Sequence, residues 1–300
     1  VVTGRPAALR GHAAMLGFSM LVAGSFSLGA QVGGLIEPAA LNAVRFVLAA
    51  GLLLGIAVAG PGIRARDLAA PWRYLLLGGV YSIYFVLMFE GLKTASAVST
   101  AAVFTLTPVM SAGFGWLMLR QRTTPRMAVA LAIGALGALW VIFRADLGLL
   151  MAFDVGRGEA IYFVGCIAHA AFTPMLRLLN RGEPAAVSTA FVTVGGALVL
   201  LVWAGSDLRA TDWAGLPPIV WATILYTAVF ASAGTFTLLQ FATLRLPSAK
   251  VMAYTYLVPS WVILWELAQG RPAPPALIAV GVVLTAGALA ILLKDEEAPA

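Results

Sequence analysis

Tyr81 and Tyr84, His169, Tyr226, Tyr254 and Tyr256, and Trp261 each stand well inside a long apolar run of the chain. None of these side chains breaks covalent bonds unaided, but as a group they can recognise a small solute. A buried phenol needs a hydrogen-bond partner and offers a flat face for stacking. An ammonium group also sits favourably over such a face. Tyr81 and Tyr84, three residues apart, share one helical face, and Phe85 and Met88 continue it as an adaptable apolar wall. His169 is the only histidine inside a run; His12 lies at the edge of the first. In such a place a histidine hydrogen-bonds a substrate carboxylate, carries a proton near neutral pH, or bonds a backbone carbonyl. Metal binding is not expected, because no His, Asp or Glu stands three or four residues further on. For each tyrosine taken singly, plain packing between helices remains the alternative.

The elements that must hold these residues follow from composition. Of 300 residues 61% are apolar and only 11% charged, against about 45–50% and about 25% in soluble domains. With a mean hydropathy of +0.94 there is too little polar surface to cover a water-soluble globule. That excludes a soluble enzyme, a disordered chain and a disulfide-stapled module; the single cysteine, Cys166, permits no internal disulfide. The net charge of +6 lies between apolar runs rather than on a nucleic-acid-binding face, so the lipid bilayer is the expected partner. A spanning helix needs about 20 mostly apolar residues. Ten runs qualify: 12–30, 39–59, 72–89, 96–119, 126–143, 158–178, 185–204, 216–240, 247–268 and 275–293. They are apolar on all sides, unlike the alternating strands of a membrane β-barrel. The expected fold class is an all-α polytopic membrane protein of ten transmembrane helices.

Lys and Arg in short loops set orientation. With the N-terminus inside, thirteen basic residues, among them Arg64, Arg66, Arg73, Arg122, Arg181 and Arg245, fall on the cytoplasmic side and five on the other. Both termini are then cytoplasmic. Only Arg45 remains within a span, about six residues below the outer surface, where it can snorkel to headgroups; structural anchoring or pairing is expected ahead of substrate contact.

The chain also compares with itself. Ala102, Leu106 and Pro108 correspond to Ala253, Leu257 and Pro259 at a constant offset, each proline in the fourth span of a five-span half. Because five is odd, the second half enters the membrane inverted, which is a signature of secondary transporters. The halves are 12–143 and 158–293, one transmembrane domain over 1–300. Pro108 and Pro259 lie about 12 residues into their spans, where each frees a carbonyl four residues earlier and kinks the helix. Such groups are tolerated where they line a wet cavity, so both prolines, and similarly Pro174, are read as kinks lining a cavity.

The segments LNAVRFVLAAGLLLGI (41–56), AVSTAAVFTLTPVMSAGFGWLML (97–119) and PSAKVMAYTYLVPSWVIL (247–264) resemble the drug/metabolite transporter superfamily, EamA type. Arg45 and Pro108 match the family's second-span Arg and fourth-span Pro. Within the family the chain is most similar to bacterial aromatic amino acid exporters of the YddG type. The resemblance implies two inverted five-helix repeats in a bacterial inner membrane. It implies export of aromatic and other neutral amphipathic amino acids by alternating access, from a midplane cavity between the repeats. It places Tyr81, Tyr84, Phe85, Met88, His169, Tyr226, Tyr254, Tyr256 and Trp261 in cavity-lining spans. Family members commonly carry a Glu about 13 residues after the fourth-span Pro, where this chain has Gln121 and Pro272.

Other readings compete less well. Every Asp lies in a loop, which disfavours an intramembrane aspartyl enzyme. No motif supports a serine enzyme at Ser25, Ser27 or Ser82, and no cofactor fingerprint appears. Other small metabolites or drugs are the alternative substrates. Phosphorylated ones call for several midplane basic groups and dications for a midplane carboxylate; the spans supply neither.

Overall fold

The computed structural model describes residues 5–152, 154–243, 245–246 and 248–294. The outermost residues, to which the loops assign the cytoplasmic side, lie outside them. Among the described residues there are helices and no strands. In order these are α1 (Arg5–Val32), α2 (Pro38–Ala59), α3 (Trp72–Gly91), α4 (Ala97–Phe104), α5 (Thr107–Leu119) and α6 (Pro125–Ile142). Then come a short α7 (Leu147–Ala152), α8 (Arg157–Leu179), α9 (Ala185–Trp203) and a short α10 (Gly205–Ala210). The chain ends with α11 (Pro218–Ala228), α12 (Thr235–Thr243), α13 (Ser248–Ala253), α14 (Val258–Ala268) and α15 (Ile278–Lys294). Among the described residues nine stretches are long and apolar enough to cross a membrane, several built from two helices in line, and Ile278–Leu293 is a shorter apolar helix.

Local sequence fixes the helix starts. Pro38, Pro125 and Pro218 occupy first-turn positions, where the missing N–H is not needed. The Ser96 and Thr124 hydroxyls cap α4 and α6, each accepting a backbone N–H at 3.1 Å. Three spans are irregular in the middle. Between α4 and α5 the chain breaks ahead of Pro108, and Thr107 Oγ1 donates at 2.5 Å to the Phe104 carbonyl that proline cannot serve. Between α13 and α14 a 3₁₀ turn, Tyr254–Leu257, precedes Pro259. Between α11 and α12 a π-helical turn, Val229–Gly234, inserts without any proline.

Close approach of small residues holds the bundle together. A Cβ on Gly78 of α3 would strike the backbone of Val192, Gly195 and Gly196 in α9, so the two helices touch main chain to main chain. Gly137 in α6 and Gly281 in α15 meet likewise. The helix α1 packs on α11, α12 and α14; α8 packs on α3 and α5; α2 pairs with α9 and α6 with α15. Leu48, Leu52 and Ile56, spaced one turn apart on α2, are left exposed, an apolar stripe suited to lipid.

A candidate solute site at the bundle centre

Tyr81 and Tyr84 turn inward from α3 and are both buried. About halfway along α8, His169 stacks on Tyr84 with ring centres 4.3 Å apart. Phe172, three residues further on the same helix, stacks on Tyr81 at 4.6 Å. Phe85 and Phe236 meet Tyr81 edge-on at 4.7 and 4.8 Å, and Phe104 lies 5.2 Å from His169. Tyr162 donates its hydroxyl to the Tyr84 oxygen at 3.2 Å. The result is a box of rings from α3, α4, α8 and α12.

At its centre is a small cavity of about 10 Å³, lined by Tyr81, Tyr84, Phe85, Met88 and His169 from one side, and by Phe18, Val22, Ser25, Ala231 and Thr235 from the other. That is room for about one water molecule, and too little for a larger solute in this conformation. Its polar lining is unusual. Both His169 nitrogens and the Ser25 hydroxyl are buried without a hydrogen-bond partner among the described residues. Buried polar groups are normally satisfied, because an unmade bond costs about 1–3 kcal/mol. The wall therefore presents unspent hydrogen-bonding capacity between stacked rings.

The five sequence-predicted residues of α3 and α8 thus converge, and the remaining candidates go elsewhere. Tyr226 donates at 2.9 Å to the Leu21 carbonyl of α1, its phenol filling the notch left by Gly24. Its packing is against helices, not the cavity. Tyr254 shares a 3.0 Å hydrogen bond with His12, toward the N-terminal end of α1. Tyr256 is buried against Gly134 of α6, with its hydroxyl unpartnered among the described residues. Trp261 is half-buried and donates to Ser19 Oγ at 3.2 Å. The three prolines also lie outside the cavity wall. Pro174 does not break its helix: α8 runs through it, and the carbonyl it frees is taken by Ser111. Arg45 corrects the snorkelling expectation. It is fully buried and turns into the bundle, because the π turn offers it the Ala231 carbonyl and the Ser232 hydroxyl.

Sequence reasoning passed over Phe104, Phe172 and Phe236, because it sought polar rings at depth. The spacing of Phe172 from His169 was the available signal. It also missed the pairing of Arg73 with Glu183, 2.7 Å apart and buried at the arginine-rich end of the bundle. Burial works against the Glu183 carboxylate but is outweighed by the Arg73 guanidinium and the Arg181 amide, which hold its pKa below the usual carboxylate value. At the opposite end, Glu266 accepts from Ser27, Gln269 donates to Ser27 at 2.9 Å, and Gln31 donates to Gln269 at 2.7 Å, tying α14 to α1. A surface basin of about 610 Å³ opens at that end among residues 33–37, Lys93 and the 207–217 segment.

An all-helical bundle with lipid-suited faces fits a multi-pass membrane protein. The profile of the EamA-like transporter family matches residues 9–143 and again 156–294; the chain belongs to that family. It is 25% identical to "Uncharacterized transporter YyaM" of Bacillus subtilis (strain 168), covering 92% of this chain and 93% of that one. It is 23% identical to an "Uncharacterized transporter" of Archaeoglobus fulgidus, over 90% and 93%. A solved crystal structure superposes with a TM-score of 0.70 over 97% of each chain at 20% identity, which speaks to the fold alone.

Proposed function

We propose that this chain is a secondary transporter, and not an enzyme, that exports amino acids, aromatic and other neutral amphipathic ones, as aromatic amino acid exporters do. The observation that carries the reading is the box of rings around unpartnered His169 and Ser25: flat faces for an apolar body, hydrogen bonds for a polar end. No cofactor takes part, and the partners are the solute and the lipid bilayer.

The mechanism proposed is alternating access between two inverted five-helix repeats, ten spans in all, with α15 as the tenth. The twofold match of one family profile to 9–143 and 156–294 supports the repeat. The packing supports it as well: α1 lies on α11, α12 and α14 as α8 lies on α3 and α5, and α2–α9 and α6–α15 each pair a helix with its own counterpart. The excess of basic residues in one set of loops supports cytoplasmic termini in an inner membrane. Rocking one repeat against the other would open the box alternately toward the basin and toward the arginine-rich end.

The test is flux of radiolabelled phenylalanine, methionine and threonine in proteoliposomes, with and without a pH gradient. Saturable phenylalanine flux above protein-free vesicles is expected. Absence of flux for all three, from protein that remains monodisperse in detergent, overturns the reading.

A further inference from the structure

Arg45 carries a full positive charge in the interior of the bundle without an acidic partner among the described residues. Its Nε donates to Ser232 Oγ at 2.7 Å, Nη2 to the Ala231 carbonyl at 3.0 Å and Nη1 to Asn42 Oδ1 at 3.3 Å. All three acceptors are neutral, and two of the five guanidinium N–H groups are left over. The buried carboxylates are engaged elsewhere: Asp67 with Arg64 and Arg66, Glu159 with Ser99, and Glu183 with Arg73. The guanidinium carbon sits 3.7 Å above the Phe85 ring, and Phe85 and Ala231, both in contact with Arg45, also line the central cavity. A charge this close, in a medium of low dielectric, acts strongly on whatever enters.

We propose that the site selects for negative charge, so that the substrate's carboxylate, and not its ammonium, is the group required. This rests on the transport reading above and narrows it to monocarboxylates with a flat apolar body. Three features agree. The uncompensated charge beside the cavity is positive. The unpartnered groups lining it, the Ser25 hydroxyl and the His169 imidazole, can each donate to a carboxylate. No carboxylate lines the cavity to receive an ammonium, which is left with ring faces alone. Arg45 is then a specificity-determining residue acting on the cavity beside Phe85, held in place by the π turn.

The experiment compares phenylalanine with its two truncations, 3-phenylpropionate (no ammonium) and phenethylamine (no carboxylate). Both the thermal shift of the purified wild-type protein and inhibition of phenylalanine flux are read. We expect 3-phenylpropionate to act within a few-fold of phenylalanine, and phenethylamine to be at least tenfold weaker. Phenethylamine equal to or better than 3-phenylpropionate, with phenylalanine still transported, overturns this proposal and leaves the transport reading intact. If none of the three binds or is transported, both fall. Arg45→Lys should keep the order of the ligands with lower affinity, and Arg45→Gln should abolish it. Arg45→Gln that folds and keeps the preference also overturns the role of Arg45. Should that variant fail to fold, the ligand series on the wild type decides.

Discussion

Ser111 Oγ of α5 donates at 3.1 Å to the Ala170 carbonyl of α8, the acceptor that Pro174, four residues on, leaves without an N–H. One helix thus completes the backbone bonding of another. Ser111→Ala should lower stability by about 1–2 kcal/mol, because a carbonyl is orphaned in an apolar setting. Adding Pro174→Ala restores the N–H and should recover much of that loss. Thermal unfolding of the two single variants and the double variant measures the coupling, and strict additivity would refute it.

Tyr81→Ala and Tyr84→Ala should each remove a stacking surface of about 1 kcal/mol and raise the apparent KM several-fold. Tyr84→Phe keeps the stack on His169 and loses only the hydrogen bond from Tyr162, so its effect should be smaller. Flux compared at equal amounts of detergent-stable protein checks this; wild-type KM in both Ala variants would reduce the tyrosines to packing.

Which parts of this were legible beforehand follows from which forces act locally. The spans could be read because lipid selects composition residue by residue. Depth along a helix could also be read, which is why Tyr81, Tyr84, Phe85, Met88 and His169 were proposed as a group and the structure brings them together. The direction a ring faces could not be read. Tyr226 and Tyr256 turn away from the cavity because Gly24 and Gly134, on helices distant in sequence, leave notches of the right size. Arg45 turns inward because a π turn in another span exposes an acceptor to it, and no periodicity in the second span announces that.

Gly78→Ala should be severely destabilising, by about 2 kcal/mol or more, since its methyl group would meet the α9 backbone and cannot be relieved by a rotamer change. The same change at Gly51, whose Cβ would meet nothing within 4 Å, should be neutral or slightly stabilising. Folded yield and melting temperature distinguish the two sites.

The Arg73–Glu183 pair predicts an acid-labile component of stability. Because the folded carboxylate has a lowered pKa, its contribution is complete above the unfolded value, about 4.3, and disappears as pH falls through the folded value. Glu183→Gln should therefore be less stable at pH 7, by about 3 kcal/mol or less, and should lose part of the wild-type decline below about pH 4. An identical acid profile in the variant would contradict the assignment.

The π turn at Val229–Gly234 sits in one half of the chain, and the corresponding third span, α3, is a continuous α-helix. On the inverted-repeat reading proposed above, two identical halves would rock between end states related by a twofold rotation in the membrane plane, and hence equal in energy. A π turn in one span and not in its counterpart is one departure from that symmetry, and it lifts the degeneracy. On that reading the empty carrier has a preferred resting side.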